Sequence, residues 1–422
     1  MTDGTGEALA AALRIVSSAR CVSSGLLLAV SGGPDSLALL LAARTGRADL
    51  PPLAVATIDH GLRPESAAEA EAVGALCAAL GLSHRRLVWR GPEGAGGNLA
   101  ALAREARYDL LAREARRCSA DAVVTAHHFD DQLETHLLAR ARGVALQEAA
   151  GMRVWRDLQP GLVLLRPFLS LRKSALVDLV AGEGVQAADD PGNRDPRSAR
   201  ARLRLALAAG EHDEAALADV LRAADRHRMT RDEALAERLR ALAVSGTLRT
   251  GESGQIELAD ASALSPTLLS RCLTAAGGAA VTPPTRAVLR LAEALAARRR
   301  FTATLNGCRV ERQGDRLLFL REYGREGIAP MSTEGPDVTF DHRFDIRPPA
   351  EAGRAMRIVA WGSLGRGNLR DRTLPVALDE SDRPIACHPA LAPKLPSCAP
   401  LVLRGRVGWR LWADLPGSAP FM

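Results

Sequence analysis

Short apolar runs alternate with longer segments of helical periodicity through the first half of the chain. Gly25–Val30, Leu53–Asp59, His84–Trp89, Ala122–Ala126 and Leu162–Leu165 read as strands. Ser36–Arg44, Ser66–Leu80, Asn98–Arg117, Phe129–Arg142 and Leu171–Glu183 read as the helices between them. Short strands that each feed a helix pair in parallel through right-handed crossovers. The expected fold class over 1–210 is therefore α/β, a doubly wound parallel sheet. In such sheets ligands bind beyond the carboxyl ends of the strands, which directs attention to the loops after the first, second and fourth.

The alternation stops near residue 211. Asp213–Val244 reads as one long helix rich in Arg and Ala. Helical pattern resumes at Ser265–Ala276, where Ser265 can cap and Pro266 can take the first turn, and again at Pro284–Arg300. A hairpin is expected to pair Cys308–Glu311 with Arg316–Leu320 around Gln313-Gly314-Asp315. These elements predict a mainly helical domain over 211–325. Gly, Pro and Ser gather between Gly324 and Asp337 as in a linker, and short apolar segments beyond it predict a small C-terminal α+β domain over 335–422.

Composition narrows the class. With 47% hydrophobic and 25% charged residues, the chain is expected to be a soluble globular protein. The opening MTDGTGEALAAALRIVSSAR places acidic residues where a secretory signal needs basic ones, and no apolar stretch reaches about 18 residues. A cytoplasmic location with no membrane association is expected. The seven cysteines form no CxxC pair, which argues against a zinc ribbon, an iron–sulfur site or a disulfide framework. The net charge of +6 suits a polyanion partner. Lysine occurs only at Lys173 and Lys394, so nearly all 55 basic side chains are arginine, whose planar fork suits phosphate. Biased codon usage would give the same excess.

The chemistry concentrates in the strand-end loops. Ser31-Gly32-Gly33-Pro34-Asp35-Ser36 follows the first strand and opens a helix. Small residues there allow close backbone approach, and the helix turns free N–H groups and its positive dipole end toward the loop, which makes an anion cradle. The Gly-Lys-Ser/Thr ending of a Walker A loop is missing, and Asp35 sits where a phosphate-gripping lysine would be expected. A carboxylate among phosphates calls for a bridging cation such as Mg²⁺. A plain glycine turn ahead of an N-terminal Asp-Ser remains the alternative reading.

After the second strand, Ile58-Asp59-His60-Gly61-Leu62-Arg63 falls at the ligand edge, where backbone near Ile58 can read adenine and His60 and Arg63 can line the entrance. The fourth strand leads into Ala126-His127-His128-Phe129-Asp130-Asp131-Gln132-Leu133-Glu134-Thr135. With a helix starting near Phe129, Asp131 and Glu134 share a face and His127 stands at its entrance. The spacing fits no HExxH zinc pattern.

SGGxDS after a first strand resembles the pyrophosphate loop of the N-type ATP pyrophosphatases, which cleave ATP between the α- and β-phosphates. DHGLR, then AHHxDDQxETxL with Arg142-Gly143 and Gly151-Met152, resembles the signature of the tRNA(Ile)-lysidine synthetase branch of that superfamily. Arg104-Glu105-Ala106-Arg107-Tyr108 is similar to its ARxxRY helix, and Asp190-Pro191-Gly192-Asn193-Arg194-Asp195 with Arg200-Ala201-Arg202-Leu203-Arg204 to its DPxNxD…RNRxR segment. Ala201, Ser198 and Ala145 depart from that pattern, at positions where asparagine, an aromatic and glycine are usual.

The resemblance implies ATP and Mg²⁺ as cofactors, free L-lysine as a substrate, and an isoleucine tRNA with a CAU anticodon as partner. The wobble cytidine would be adenylated on its C2 oxygen and AMP then displaced by the lysine amine. It further implies that Asp35 holds the metal, that His127 and Arg107 serve the leaving AMP, that Asp131 and Glu134 hold the incoming ammonium, and that Arg200, Arg202 and Arg204 lie near the adenylate and tRNA. In the second domain Arg226, Arg228, Arg231 and Arg298–Arg300 are candidate phosphate contacts. Oligomeric state stays open, a homodimer being one option. A tRNA thiolase of the same superfamily and a noncatalytic nucleotide-binding protein are the competing readings. Thiolases need placed cysteines, and none of Cys21, Cys77 and Cys118 falls in a motif loop.

Overall fold

A computed structural model describes residues 3–61, 66–89, 91, 99–188, 197–332, 338–347 and 356–417. Two compact units emerge, one built on Met1–Asp232 and the other on Glu233–Leu415.

The first unit runs α1 (Asp3–Ser17), β1 (Leu26–Ala29), α2 (Pro34–Thr45), β2 (Leu53–Asp59), α3 (Ser66–Ala79), β3 (Ser83–Val88) and α4 (Leu99–Arg117). It continues with β4 (Ala122–Val124), α5 (Phe129–Ala141), β5 (Trp155–Gln159), β6 (Leu162–Leu165), α6 (Lys173–Gly182) and α7 (Ala199–Ala208), and enters the long α8 (Glu214–Val244). The strand order is β3-β2-β1-β4-β6-β5, with β5 alone antiparallel.

Alternation along β1 explains the layering. Leu26 and Leu28 face one core with α1, α2 and α6, whereas Leu27 and Ala29 face a second with α4, so the strand is buried on both sides. Each fully buried leucine contributes about 1.5–3 kcal/mol, and together they fix the strand whose end carries the Ser31–Ser36 loop. The doubly wound sheet thus matches the fold class expected from the pattern. Three elements were not anticipated: the N-terminal helix α1, the helix α7, and the edge strand β5, whose Trp-Arg-Asp-Leu-Gln sequence lacks an apolar run.

In the second unit, α9 (Pro266–Ala276) and α10 (Thr285–Ala297) pack on a five-stranded sheet. Its order is β7 (Leu248–Thr250), β8 (Ile256–Leu258), β11 (Arg316–Arg321), β10 (Cys308–Gln313) and β9 (Arg300–Leu305). The β10–β11 pairing is the expected hairpin, with Gln313 opposite Arg316. The other strands of this sheet escape a reading by pattern because β7 and β8 are three residues each and β9 begins in an arginine run. Beyond it two small sheets enclose a separate core around Phe340, Phe344, Ile358 and Val376. No helix among the described residues is long and apolar enough to cross a membrane.

Candidate active site

At the carboxyl edge of the six-stranded sheet lies an open cleft of about 890 Å³. The loop after β1 forms its floor. Gly32 sits at φ +87°, a left-handed backbone that glycine adopts freely. Gly33 is the N-cap of α2 without any side-chain cap, and a Cβ built there would meet nothing closer than Ser31 Oγ at 3.9 Å. The first-turn N–H groups therefore face open space, as an anion site requires. Ser36 ties the loop together, donating to Gly33 O at 2.9 Å and accepting from Ser31 N at 3.1 Å.

Ser31, Gly33, Pro34, Asp35, Ser36, Ile58, His60, Arg107, His127, Asp131, Arg200 and Arg204 all line this cleft. Arg63 lies outside the described residues, as does the Asp189–Asp195 stretch. Glu134 and Arg202 are placed differently. Glu134 is 1% exposed beneath α7, where Oε1 accepts from Arg204 Nε at 2.5 Å and Oε2 from Arg204 Nη2 at 3.3 Å, with Arg200 Nη1 3.8 Å from Oε2. Burial holds its carboxyl above the usual value against the pull of these two guanidiniums. Arg202 is exposed on the other side of α7 and donates to Arg197 O. The departures from the resemblance are accommodated: Ala201 is buried in the cleft wall, and Ala145 has φ −58°, a backbone open to any residue.

Asp35 Oδ1 is buried and has no hydrogen-bond partner, while Oδ2 lies 3.7 Å from His128 Nε2 and 3.9 Å from Lys173 Nζ. An orphaned carboxylate oxygen beside an anion cradle fits a cation shared with phosphates. No group of three or more His, Cys, Asp or Glu able to hold a metal occurs among the described residues, so any such ion would take most of its ligands from elsewhere.

The two adjacent histidines are pushed in opposite directions by their surroundings. Burial first, then Arg166, Arg107, Arg104 and Arg200, push His127 well below its ordinary value, and it is neutral. Its Nδ1 is 3.0 Å from Thr125 Oγ1. Burial would also lower His128, but Asp130, Asp35 and Asp131 outweigh it and bring it up to about 9. His128 is thus held among three carboxylates; its backbone N–H donates to Asp131 Oδ2 at 3.1 Å, and its ring Nδ1 caps α5 by accepting from Asp131 N at 3.4 Å. The N-terminus of α6 is tied to the same cluster, since Lys173 N donates to Asp130 Oδ2 at 2.8 Å.

Sequence reasoning passed over Lys173 and His128 as site residues. The signal for Lys173 was present, because it is the only lysine before residue 394. On the β2 side, Asp59 organises the loop: it accepts from Ser66 Oγ at 2.5 Å, Gly61 N at 2.9 Å and Arg86 Nε at 3.0 Å, which hold it down at about 2. His60 packs edge-on against Trp89 with its Nδ1 unpartnered.

A glycine-rich loop between a central parallel strand and its helix, with an aspartate at the helix start, defines a PP-loop protein, and the family model described as a PP-loop domain matches residues 9–210. The tRNA(Ile)-lysidine synthase of Methylobacterium nodulans is 41% identical over 311 residues, 70% of this chain and 89% of that protein. That of Rhodopseudomonas palustris is 41% identical over 323 residues, 72% of this chain and 92% of that one. The chain belongs to the tRNA(Ile)-lysidine synthase family. Among solved structures, the U34-tRNA thiolase NcsA from Methanococcus maripaludis is similar with a TM-score of 0.43 and 14% identity, over 53% of this chain and 77% of that one.

Proposed function

We propose that this chain is an ATP-dependent ligase that joins free L-lysine to C2 of the wobble cytidine of an isoleucine tRNA with a CAU anticodon. The observation that carries the reading is the meeting, in one cleft, of an uncapped helix N-terminus, the orphaned oxygen of Asp35, neutral His127 and the carboxylate of Asp131. The cytidine oxygen attacks the α-phosphorus of ATP and pyrophosphate leaves; the ε-amine of lysine then attacks C2, AMP leaves, and the amine gives up a proton.

Each step draws on a different part of the cleft. The loop N–H groups and the α2 dipole receive the departing pyrophosphate. Asp35 would hold Mg²⁺, which when bound would supply positive charge to neutralise the phosphates. Ile58 and His60 flank the adenine side. His127, uncharged, donates a hydrogen bond to the AMP phosphate as charge returns to it, beside Arg107. Asp131, whose Oδ2 is fixed by the His128 backbone N–H, presents its remaining oxygen to the incoming ammonium and receives its proton. Glu134 serves from below by anchoring Arg204 and Arg200 on the cleft wall. The chain works as a soluble cytoplasmic enzyme.

Incubating the protein with ATP, Mg²⁺, labelled lysine and the CAU isoleucine tRNA should transfer label to the RNA. Asp35→Ala should abolish transfer. ATP turnover with no lysine in the RNA would sink the reading.

A further inference from the structure

On the flank of the cleft formed by β5, β6 and α4, a group of arginines has no carboxylate partner among the described residues. Arg166, directly after β6, is 4% exposed; it donates to Arg153 O at 3.0 Å and bonds the Tyr108 hydroxyl, while its Nε has no partner. Arg156, on β5, lies 5.1 Å from the centre of the Tyr108 ring and also has a buried Nε without a partner. Arg104, one turn before Tyr108 on α4, lies 5.5 Å from the same ring and lines the cleft.

None of these three forms an ion pair with a carboxylate among the described residues. Other arginines of this unit have carboxylate partners: Arg20 with Asp157, Arg86 with Asp59, Arg153 with Asp232, Arg204 with Glu134. Asp157 adjoins Arg156 in sequence but points away to Arg20. Burying an unanswered guanidinium, as at Arg166, is costly, and stacking on one phenol offsets only part of it; Arg156 is half-buried and Arg104 exposed. The cluster also acts on its surroundings: Arg166 and Arg104 help hold His127 neutral, and the Tyr108 hydroxyl is held below its usual value although burial works against this.

The anion cradle proposed for the nucleotide follows β1, whereas β6 and β5 lie on the opposite flank of the sheet with β4 between. We propose that Arg104, Arg156 and Arg166, gathered on Tyr108, form a phosphodiester-binding subsite that grips the RNA backbone beside the reacting base. A single-charged phosphodiester is matched by guanidinium forks without a metal, and a backbone contact positions the strand without reading its sequence. The assignment rests on the substrate being RNA.

The test uses the full-length protein, an anticodon stem–loop RNA and fluorescence anisotropy across a salt series. Arg104→Gln and Arg156→Gln should each weaken RNA binding by about tenfold and lower the salt slope by about 1, with ATP affinity unchanged. Arg156→Lys should restore part of the loss. A stem–loop with a neutral methylphosphonate at the phosphate flanking the wobble base should bind wild type and Arg156→Gln alike. Unchanged RNA affinity and slope in both variants would overturn the proposal, as would an equal fall in ATP affinity, which would return the anion to the nucleotide. Arginine-dependent RNA binding by a wild type that transfers no lysine would support the subsite while sinking the ligase reading.

Discussion

Two buried arginines, one in each unit, are answered in opposite ways. Arg343, fully buried in the second unit, donates to Asp341 Oδ2 and Thr373 O, each at 2.7 Å, and its guanidinium lies 4.9 Å from the Phe344 ring centre. Arg321 shares the same aspartate at 2.8 Å. Arg166 in the first unit has one backbone carbonyl, one phenol and no carboxylate among the described residues. A charge satisfied from within holds a fold together. A charge left open at a strand end is held ready for something that arrives, and its cost is carried by the apolar core behind it.

The largest effect is expected where the open end does its chemistry. Asp35→Ala should lower lysine transfer by about a hundredfold or more, measured in single turnover, because it removes a charge facing the reacting phosphates. Next comes stability. Asp341→Ala strands the buried Arg343 and should cost about 3–5 kcal/mol in urea unfolding, whereas Arg166→Gln removes a charge that has no carboxylate partner among the described residues and should stay within about 1 kcal/mol of wild type. Equal losses in the two variants would break the comparison.

A smaller effect is expected at Asp59. Asp59→Asn should cost about 1–3 kcal/mol by weakening its ionic hydrogen bonds to Ser66, Gly61 and Arg86. Because the folded Asp59 sits at about 2, below its ordinary 3.8, its contribution is present above 3.8 and is lost as pH falls toward 2. The wild type should therefore lose more stability than Asp59→Asn over that window. Smallest in stability is Gly33→Ala, since Gly33 has φ −72° and room for a methyl group. Its unfolding should shift by less than about 0.5 kcal/mol, yet ATP should bind more weakly because the methyl occupies the approach to the cradle.

Much of this was legible in the sequence wherever local pattern and chemistry coincide. The parallel strands are continuous apolar runs because both faces are buried, and the Ser31–Ser36 loop announces itself by its small residues at a strand end. The hidden parts depend on tertiary pairing. Asp131 and Glu134 share a helix face as their spacing requires, but only the packing of α7 decides that Glu134 is covered by Arg204 while Asp131 meets the cleft. His127 and His128 look equivalent in the chain, yet arginines surround one and carboxylates the other. β5 escaped because an antiparallel edge strand need not be apolar.

The division of labour within the cleft is tested most directly by Asp131→Asn, which keeps the side chain's shape and removes its charge. With tRNA and ATP, pyrophosphate release should stay within about threefold of wild type while the KM for lysine rises by about tenfold or more, as loss of a charged contact to an ammonium requires. An unchanged lysine KM, or loss of pyrophosphate release in parallel with lysine transfer, would contradict the assignment of Asp131 to the amine.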